Sequence, residues 1–169
     1  MGKSAKTRIE EIYLSSVKEL VLHYSGQQAV SRRSPTIPAE SDFVSILGFG
    51  DQDLRGSSVL VATPEFVRSL ASGPVHSVLD WIGELNNQIV GRLKNRLARL
   101  GLNPQLGTPI SVSGIDLDLE ALGATPQTWI CQWSGHSLCT TLALDVQPLL
   151  QINKTVEIEV AAEGCLRLF

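Results

Sequence analysis

The stretch that decides the fold of this 169-residue chain is residues 77–100, SVLDWIGELNNQIVGRLKNRLARL. Apolar side chains recur in it at steps of three and four residues, which predicts a long helix. Gly101 follows as a stop signal, and Pro104 discourages any continuation. At about 100° per residue the apolar side chains form one broad stripe, which we expect to pack on a sheet. The stripe consists of Val78, Leu79, Ile82, Leu85, Ile89, Val90, Leu93, Leu97 and Leu100.

The opposite side of this helix carries a small polar set. With Val78 at 0°, Asn87, Asp80 and Glu84 fall near 180°, 200° and 240°, counting about 100° per residue. Glu84 and Asn87 are three residues apart, so their side chains are neighbours on the outer face. A solvated helix face is the simplest interpretation, but asparagine is a mediocre helix former at an exposed site. Gly91 lies on the same face, where a glycine lets another backbone come close.

Gly83 is a second glycine within this helix, where each glycine costs about 1 kcal/mol relative to alanine. It is a candidate for the same partner-facing role as Gly91. The alternative is that Gly83 relieves packing against a neighbouring helix.

The rest of the chain predicts one more long helix and a set of strands. Apolar residues at helical spacing predict a helix over about residues 5–25, and a polar stretch with two prolines predicts a loop over 31–42. Thr63-Pro64-Glu65 is typical of a helix start. Two strands over 43–49 and 57–62 are predicted to form a hairpin joined by 50–56, and two further strands are predicted over 129–133 and 138–146. Alternation of apolar and polar residues predicts strands over 110–113, 115–120 and 155–161.

These elements predict one α/β (α+β) domain over residues 1–169, with a core from 43 to 169. We expect an antiparallel-rich mixed sheet packed by the two long helices. The net charge of −3 argues against a protein that binds nucleic-acid phosphates. No apolar run approaches the length of a membrane span, and the first residues lack the apolar core of a signal peptide. Three cysteines without C-x-x-C spacing favour a reducing compartment, so the expected location is the cytoplasm.

Residues 80–91, DWIGELNNQIVG, resemble the active-site helix of the CheC/CheX/FliY family of chemotaxis phosphatases. The motif of that family is Asp or Ser, three residues, Glu, two residues, Asn; Asp80, Glu84 and Asn87 occupy those positions here. Residues 56–65 and 108–114 resemble the segments on either side of the family's helix, and 155–161 fits its closing strand. A single copy of the motif makes the match closer to CheX. Segment 115–137 departs from it, since it is longer and more apolar than CheX leads us to expect.

The resemblance implies hydrolysis of the aspartyl phosphate on a CheY-like response-regulator receiver domain. In that interpretation Asn87 positions the attacking water and Glu84 anchors the regulator, while Asp80, Gly83 and Gly91 contact the partner. It implies no cofactor bound by this chain, because Mg²⁺ is held by the receiver domain. It also implies a homodimer.

Two alternatives remain open. In the first, the chain is a non-catalytic CheX-like adaptor that binds a receiver domain or a flagellar switch protein through the same face. A weaker alternative is a metal-binding or thiol–histidine group formed by Cys131, His136 and Cys139, for which a fourth metal ligand is missing.

Overall fold

The computed structural model describes residues 4–36, 43–71, 77–114 and 125–148, together with 150 and 152. Three helices and seven strands lie in these ranges. They are α1 (Ala5–Ser25), β1 (Val30–Ser34), β2 (Phe43–Gly50), β3 (Leu54–Ala62), α2 (Pro64–Ser69), α3 (Val78–Ala98), β4 (Gln105–Leu106), β5 (Ile110–Ser113), β6 (Gln127–Trp133) and β7 (His136–Val146).

The strands form one sheet in the order β1-β6-β7-β3-β2-β4, with β5 also paired to β2. Every pairing among the described strands is antiparallel, which confirms the antiparallel-rich sheet. The predicted strands at 115–120 and 155–161 lie outside the described residues.

Both long helices pack into one core with the sheet, which confirms the α+β architecture. From α1 the core takes Ile9, Tyr13 and Leu20, and from α3 it takes Ile82, Ile89 and Leu93, all fully buried. The sheet contributes alternate residues of its strands, such as Leu47, Leu60 and Leu142. A smaller apolar cluster of Val44, Val59, Val61 and Cys139 occupies the other sheet face.

The helix starts follow local chemistry. The Ser4 side chain accepts from the backbone N–H of Thr7 at the start of α1, and the Thr63 hydroxyl does the same for Phe66 at the start of α2. Gly26, with φ of 69°, ends α1 in the left-handed conformation that glycine adopts without cost. The predicted boundaries of the first helix are therefore those observed.

The expected loop over 31–42 is wrong at its start. Residues Val30–Ser34 form an edge strand, β1, that pairs with β6 from Val30 opposite Gln132 to Ser34 opposite Thr128. An edge strand tolerates polar side chains because one of its sides is unpaired, so its sequence lacks the apolar pattern that would predict it. Arg33 also reaches Glu10 of α1 at 3.8 Å. Residues 37–42 lie outside the described part of the chain.

None of the helices in the described residues is long and apolar enough to cross a bilayer.

Candidate functional site

The outward face of α3 carries the polar side chains that the sequence singles out. Ser77 caps the helix, and its hydroxyl accepts from the backbone N–H of Asp80 at 3.2 Å. Asp80 and Glu84 are exposed, and Asn87 is half-buried. The structure therefore brings Asp80, Glu84 and Asn87 together along the side of the helix that faces away from the sheet.

The preceding residue, Asn86, has the opposite environment. Its side chain is fully buried and reaches two strands of the sheet. Its Nδ2 donates to the backbone carbonyl of Ser45 on β2 at 3.0 Å and to that of Ser58 on β3 at 3.2 Å, and its Oδ1 accepts from Ser58 Oγ at 2.6 Å. These contacts fix both the rotation and the height of α3 on the sheet, and so fix where its outward face points.

A buried chain of hydroxyl groups extends this anchor to α1. The Tyr13 hydroxyl lies 2.7 Å from Ser58 Oγ and also contacts Thr140 Oγ1. Because Ser58 gives its only proton to Asn86, the phenol of Tyr13 supplies the proton between Tyr13 and Ser58. The Thr140 hydroxyl contacts the phenol oxygen and also donates to the backbone carbonyl of Val59 at 3.3 Å. Burial raises the pKa of Tyr13 to about 12, so the phenol remains protonated at any physiological pH.

The Asn87 carboxamide has no hydrogen-bond partner among the described residues. A carboxamide offers a donor and an acceptor without bringing charge. It is too weakly basic to take a proton from water, so it can orient a water molecule but cannot act as a general base. An outward, uncommitted amide of this kind is suited to positioning a neutral nucleophile next to an anionic group.

Glu84 is held by one of its two carboxylate oxygens. Gln88, one helical turn further along, donates from Nε2 to Glu84 Oε1 at 2.9 Å. The Tyr24 hydroxyl of α1 donates in turn to Gln88 Oε1 at 3.0 Å. No described residue forms a hydrogen bond or an ion pair with Glu84 Oε2, so one carboxylate oxygen is available to a cationic or hydrogen-bonding partner.

The two glycines of the helix differ in their surroundings. A Cβ added to Gly83 would lie 2.9 Å from Ser111 Oγ and 3.8 Å from Pro109, so this glycine lets β5 and the segment before it approach α3. The neighbour that explains Gly83 is therefore a strand rather than a helix. A Cβ at Gly91 would meet no atom of the described residues within 4 Å, apart from its own helix. Gly91 thus remains a candidate for a partner contact, whereas packing within the fold accounts for Gly83.

Helix α1 runs antiparallel to α3 along one side of this face. Near its end, Tyr24 contacts Gln88 and stacks edge-on against Trp81, with the ring centroids 5.7 Å apart. One to two turns earlier, Glu19 forms an ion pair with Arg96. The hydrogen bond from Arg96 lowers the pKa of Glu19 below its usual value.

The cysteine–histidine alternative finds no support in the geometry. Cys131 lies in the core on the helix side of the sheet, whereas Cys139 belongs to the cluster on the other face. Burial raises the pKa of Cys131 to about 11 and that of Cys139 to about 12, which disfavours the thiolate needed for metal binding or nucleophilic attack. In the described ranges, no three His, Cys, Asp or Glu side chains lie close enough to share a metal ion.

The candidate site includes three residues that were not predicted from the sequence: Asn86, Gln88 and Tyr24. Asn86 carried a signal that was available, since at about 100° per residue it falls inside the apolar stripe, where a polar side chain must find buried partners. Gln88 is spaced four residues from Glu84, which is the distance of a side-chain pair on a helix. Nothing local predicts Tyr24, which lies 64 residues away from Gln88.

The sequence matches no model of a known protein family, and no curated protein matches it. Solved structures do resemble the fold. The chemotaxis protein CheX from Vibrio vulnificus is 17% identical, with a TM-score of 0.69, over 82% of this chain and 99% of that one. A CheC-like chemotactic protein from Shewanella oneidensis is 18% identical, with a TM-score of 0.69, over 83% of this chain and 99% of that one.

A third similar structure contains a partner. CheX from Borrelia burgdorferi, in a complex with CheY, BeF3 and Mg²⁺, is 14% identical, with a TM-score of 0.67, over 80% of this chain and 97% of that one. These similarities show that the chain has the fold of the CheX and CheC-like chemotaxis proteins, as the resemblance of residues 80–91 predicts.

Proposed function

We propose that this protein is a phosphatase that removes the phosphoryl group from an aspartate of a CheY-like receiver domain. The observation that carries the proposal is the outward Asn87 carboxamide, which no described residue engages, beside a carboxylate that keeps one oxygen free. The fold supports it, because a CheX protein of the same fold has been solved together with CheY, BeF3 and Mg²⁺.

The proposed reaction asks little covalent chemistry of this chain. A water molecule attacks phosphorus in line with the bond to the aspartate oxygen, that bond breaks, and phosphate and a free aspartate carboxylate result. Asn87 would orient the water opposite the leaving carboxylate. Its neutral amide avoids the repulsion that a carboxylate would suffer beside the phosphoryl oxygens. The receiver domain would hold the Mg²⁺ that neutralises charge on those oxygens.

Glu84 would anchor the receiver by pairing its free oxygen with a basic group beside the phosphorylation site. Asp80, exposed one turn earlier on the same face, would meet the rim of the partner. Gly91 would let the backbone of the partner come close, since no described atom beyond its own helix lies within 4 Å of the position of a Cβ.

The test follows the lifetime of a CheY-type receiver phosphorylated with acetyl phosphate, with and without this protein. Wild-type protein should shorten the lifetime. Asn87→Ala should lower the turnover number about 100-fold or more with little change in KM, because it removes the positioning of the water. Glu84→Lys should abolish acceleration through loss of binding. Asn95→Ala, a half-buried asparagine two turns further along the same helix, is the matched control and should leave the rate unchanged.

A different outcome would favour the adaptor. If the protein binds a receiver loaded with beryllofluoride and Mg²⁺ but leaves the phosphate lifetime unchanged, the phosphatase proposal fails, and a binding module with the same face is the remaining function.

Location and assembly complete the proposal. Since receiver domains act in the cytoplasm, we place this protein there as well. We also propose a homodimer, on the resemblance of residues 80–91 to CheX, and sedimentation equilibrium of the purified protein would measure it.

A further inference from the structure

We infer that Gln88 and Tyr24 are positioning residues that hold the Glu84 carboxylate in the conformation that receives the partner. The inference rests on the proposed function, because it assigns these two residues to the anchor of the same site.

The hydrogen bond from Gln88 restricts the Glu84 side chain. An exposed glutamate samples many rotamers, and the loss of that freedom on binding opposes association. The bond of 2.9 Å from Gln88 Nε2 removes part of that freedom before the partner arrives. It occupies Oε1 and leaves Oε2 for the partner.

The hydrogen bonds that connect Tyr24, Gln88 and Glu84 all run in one direction. An ionised carboxylate only accepts, so Gln88 must turn its NH₂ group toward Glu84. The amide oxygen of Gln88 then points the other way and requires a donor. The Tyr24 hydroxyl supplies it at 3.0 Å. Tyr24, Gln88 and Glu84 therefore form a chain of one polarity, in which the phenol selects the orientation of the amide.

Contacts with neighbouring rings hold the ring of Tyr24 in place. Its ring packs edge-on against Trp81, with centroids 5.7 Å apart and planes at 77°, and against His23 at 4.8 Å and 81°. Trp81 precedes Gln88 by seven residues, so the ring of Tyr24 spans two turns of α3. The end of α1 thus holds Tyr24 in a fixed position beside the outward face of α3.

The hydrogen-bond chain has little to do for the fold itself. Its members are exposed or half-buried, and hydrogen bonds between such side chains add little to the free energy of unfolding. A role in arranging the carboxylate explains why three residues from two helices are connected there.

The experiment uses Tyr24→Phe, which keeps the ring and deletes only the hydroxyl, and Gln88→Met, which keeps the length and deletes the donor. Each should raise the KM for the phosphorylated receiver, or the Kd for the beryllofluoride-loaded receiver, about three- to tenfold with the turnover number unchanged. The double variant should show no more than the effect of Gln88→Met alone, because Tyr24 acts through Gln88. A merely structural role would instead lower the midpoint of thermal unfolding and leave KM and Kd unchanged.

Tyr13→Phe is the matched control, since it deletes the hydroxyl of the chain's other tyrosine on the same helix. It should lower the midpoint of thermal unfolding and leave KM unchanged.

Two results would overturn the inference: an unchanged KM and Kd in Tyr24→Phe, or effects of the two single variants that add. Failure of the proposed function is a separate result, namely wild-type protein that does not shorten the phosphate lifetime. In that case the Kd measurements still decide whether Tyr24 and Gln88 position Glu84. A receiver that does not bind wild-type protein at all would overturn both proposals.

Discussion

Asn86 and Asn87 are neighbours in the chain and have opposite surroundings. Asn86 is fully buried and hydrogen-bonded to two strands, whereas the Asn87 amide has no hydrogen-bond partner among the described residues. The difference arises from a rotation of about 100° between successive residues on a helix. One asparagine therefore serves stability, and the other is free to serve chemistry. The contrast shows that an Asn-Asn pair on a helix can anchor the helix and present an amide at the same time.

The largest effect should come from Asn86→Ala. This change removes the hydrogen bonds of Asn86 with the Ser58 hydroxyl and with the Ser45 and Ser58 carbonyls, and it opens a small cavity. We therefore expect a loss of about 3 kcal/mol in the free energy of unfolding. The midpoint of thermal unfolding should fall by about 10 °C. Asn87→Ala is the control and should leave the midpoint almost unchanged. Equal shifts for the two variants would show that the contrast between the asparagines is wrong.

Alkaline pH should weaken the buried hydrogen bonds that connect Asn86, through Ser58, to Tyr13. The pKa of Tyr13 is about 12 in the folded protein against 10 in the unfolded chain, so its contribution is complete below pH 10 and is lost between pH 10 and 12. The expected loss is roughly 2 to 3 kcal/mol, and Cys131 and Cys139 add to it from lower pH. Denaturant unfolding at several pH values would measure it. Above pH 10, the free energy of unfolding should depend less on pH in Tyr13→Phe than in wild type. An identical dependence would show that the raised pKa of the buried phenol is wrong.

Smaller effects are expected at the two glycines of α3. Substitution by alanine should change the free energy of unfolding in opposite directions at the two positions. Gly83→Ala brings a methyl group within 2.9 Å of Ser111 Oγ and should cost about 1 kcal/mol, even though alanine favours helix. The methyl group of Gly91→Ala contacts no described residue beyond its own helix, and the variant should be more stable by about 0.5 to 1 kcal/mol. If the partner approaches Gly91, the same variant should also bind the receiver more weakly. Chemical denaturation of both variants measures the sign of each change in the free energy of unfolding. A stabilising Gly83→Ala would show that β5 does not pack closely against α3 at this glycine.

The smallest effect should come from the ion pair between Glu19 and Arg96, which holds α1 beside the outward face. Both side chains are substantially exposed, so Glu19→Gln should cost only a few tenths of a kcal/mol. Because the pKa of Glu19 is lowered, the contribution is present above the usual carboxyl pKa and fades as the pH falls through the folded value. Unfolding at pH 7 and pH 3 should therefore differ less in Glu19→Gln than in wild type. If Glu19→Gln lowered the free energy of unfolding more at pH 3 than at pH 7, the assignment of a stabilising ion pair would be contradicted.

Much of the fold followed from local patterns. The span of α3, the first helix and the hairpin of β2 and β3 depend on spacings within a few residues, which the sequence displays directly. Strand β1 could not be predicted, because an edge strand with Arg32 and Arg33 carries no apolar alternation.

The candidate site divides in the same way. By itself, the sequence determined that Asp80, Glu84 and Asn87 share one face of a helix, since that follows from the helical repeat alone. Only the tertiary structure decided what surrounds that face. The anchors of Asn86 lie 28 and 41 residues away, and the phenol that orders Gln88 lies 64 residues away. Such contacts depend on the order of the strands and the packing of α1, which no local repeat encodes.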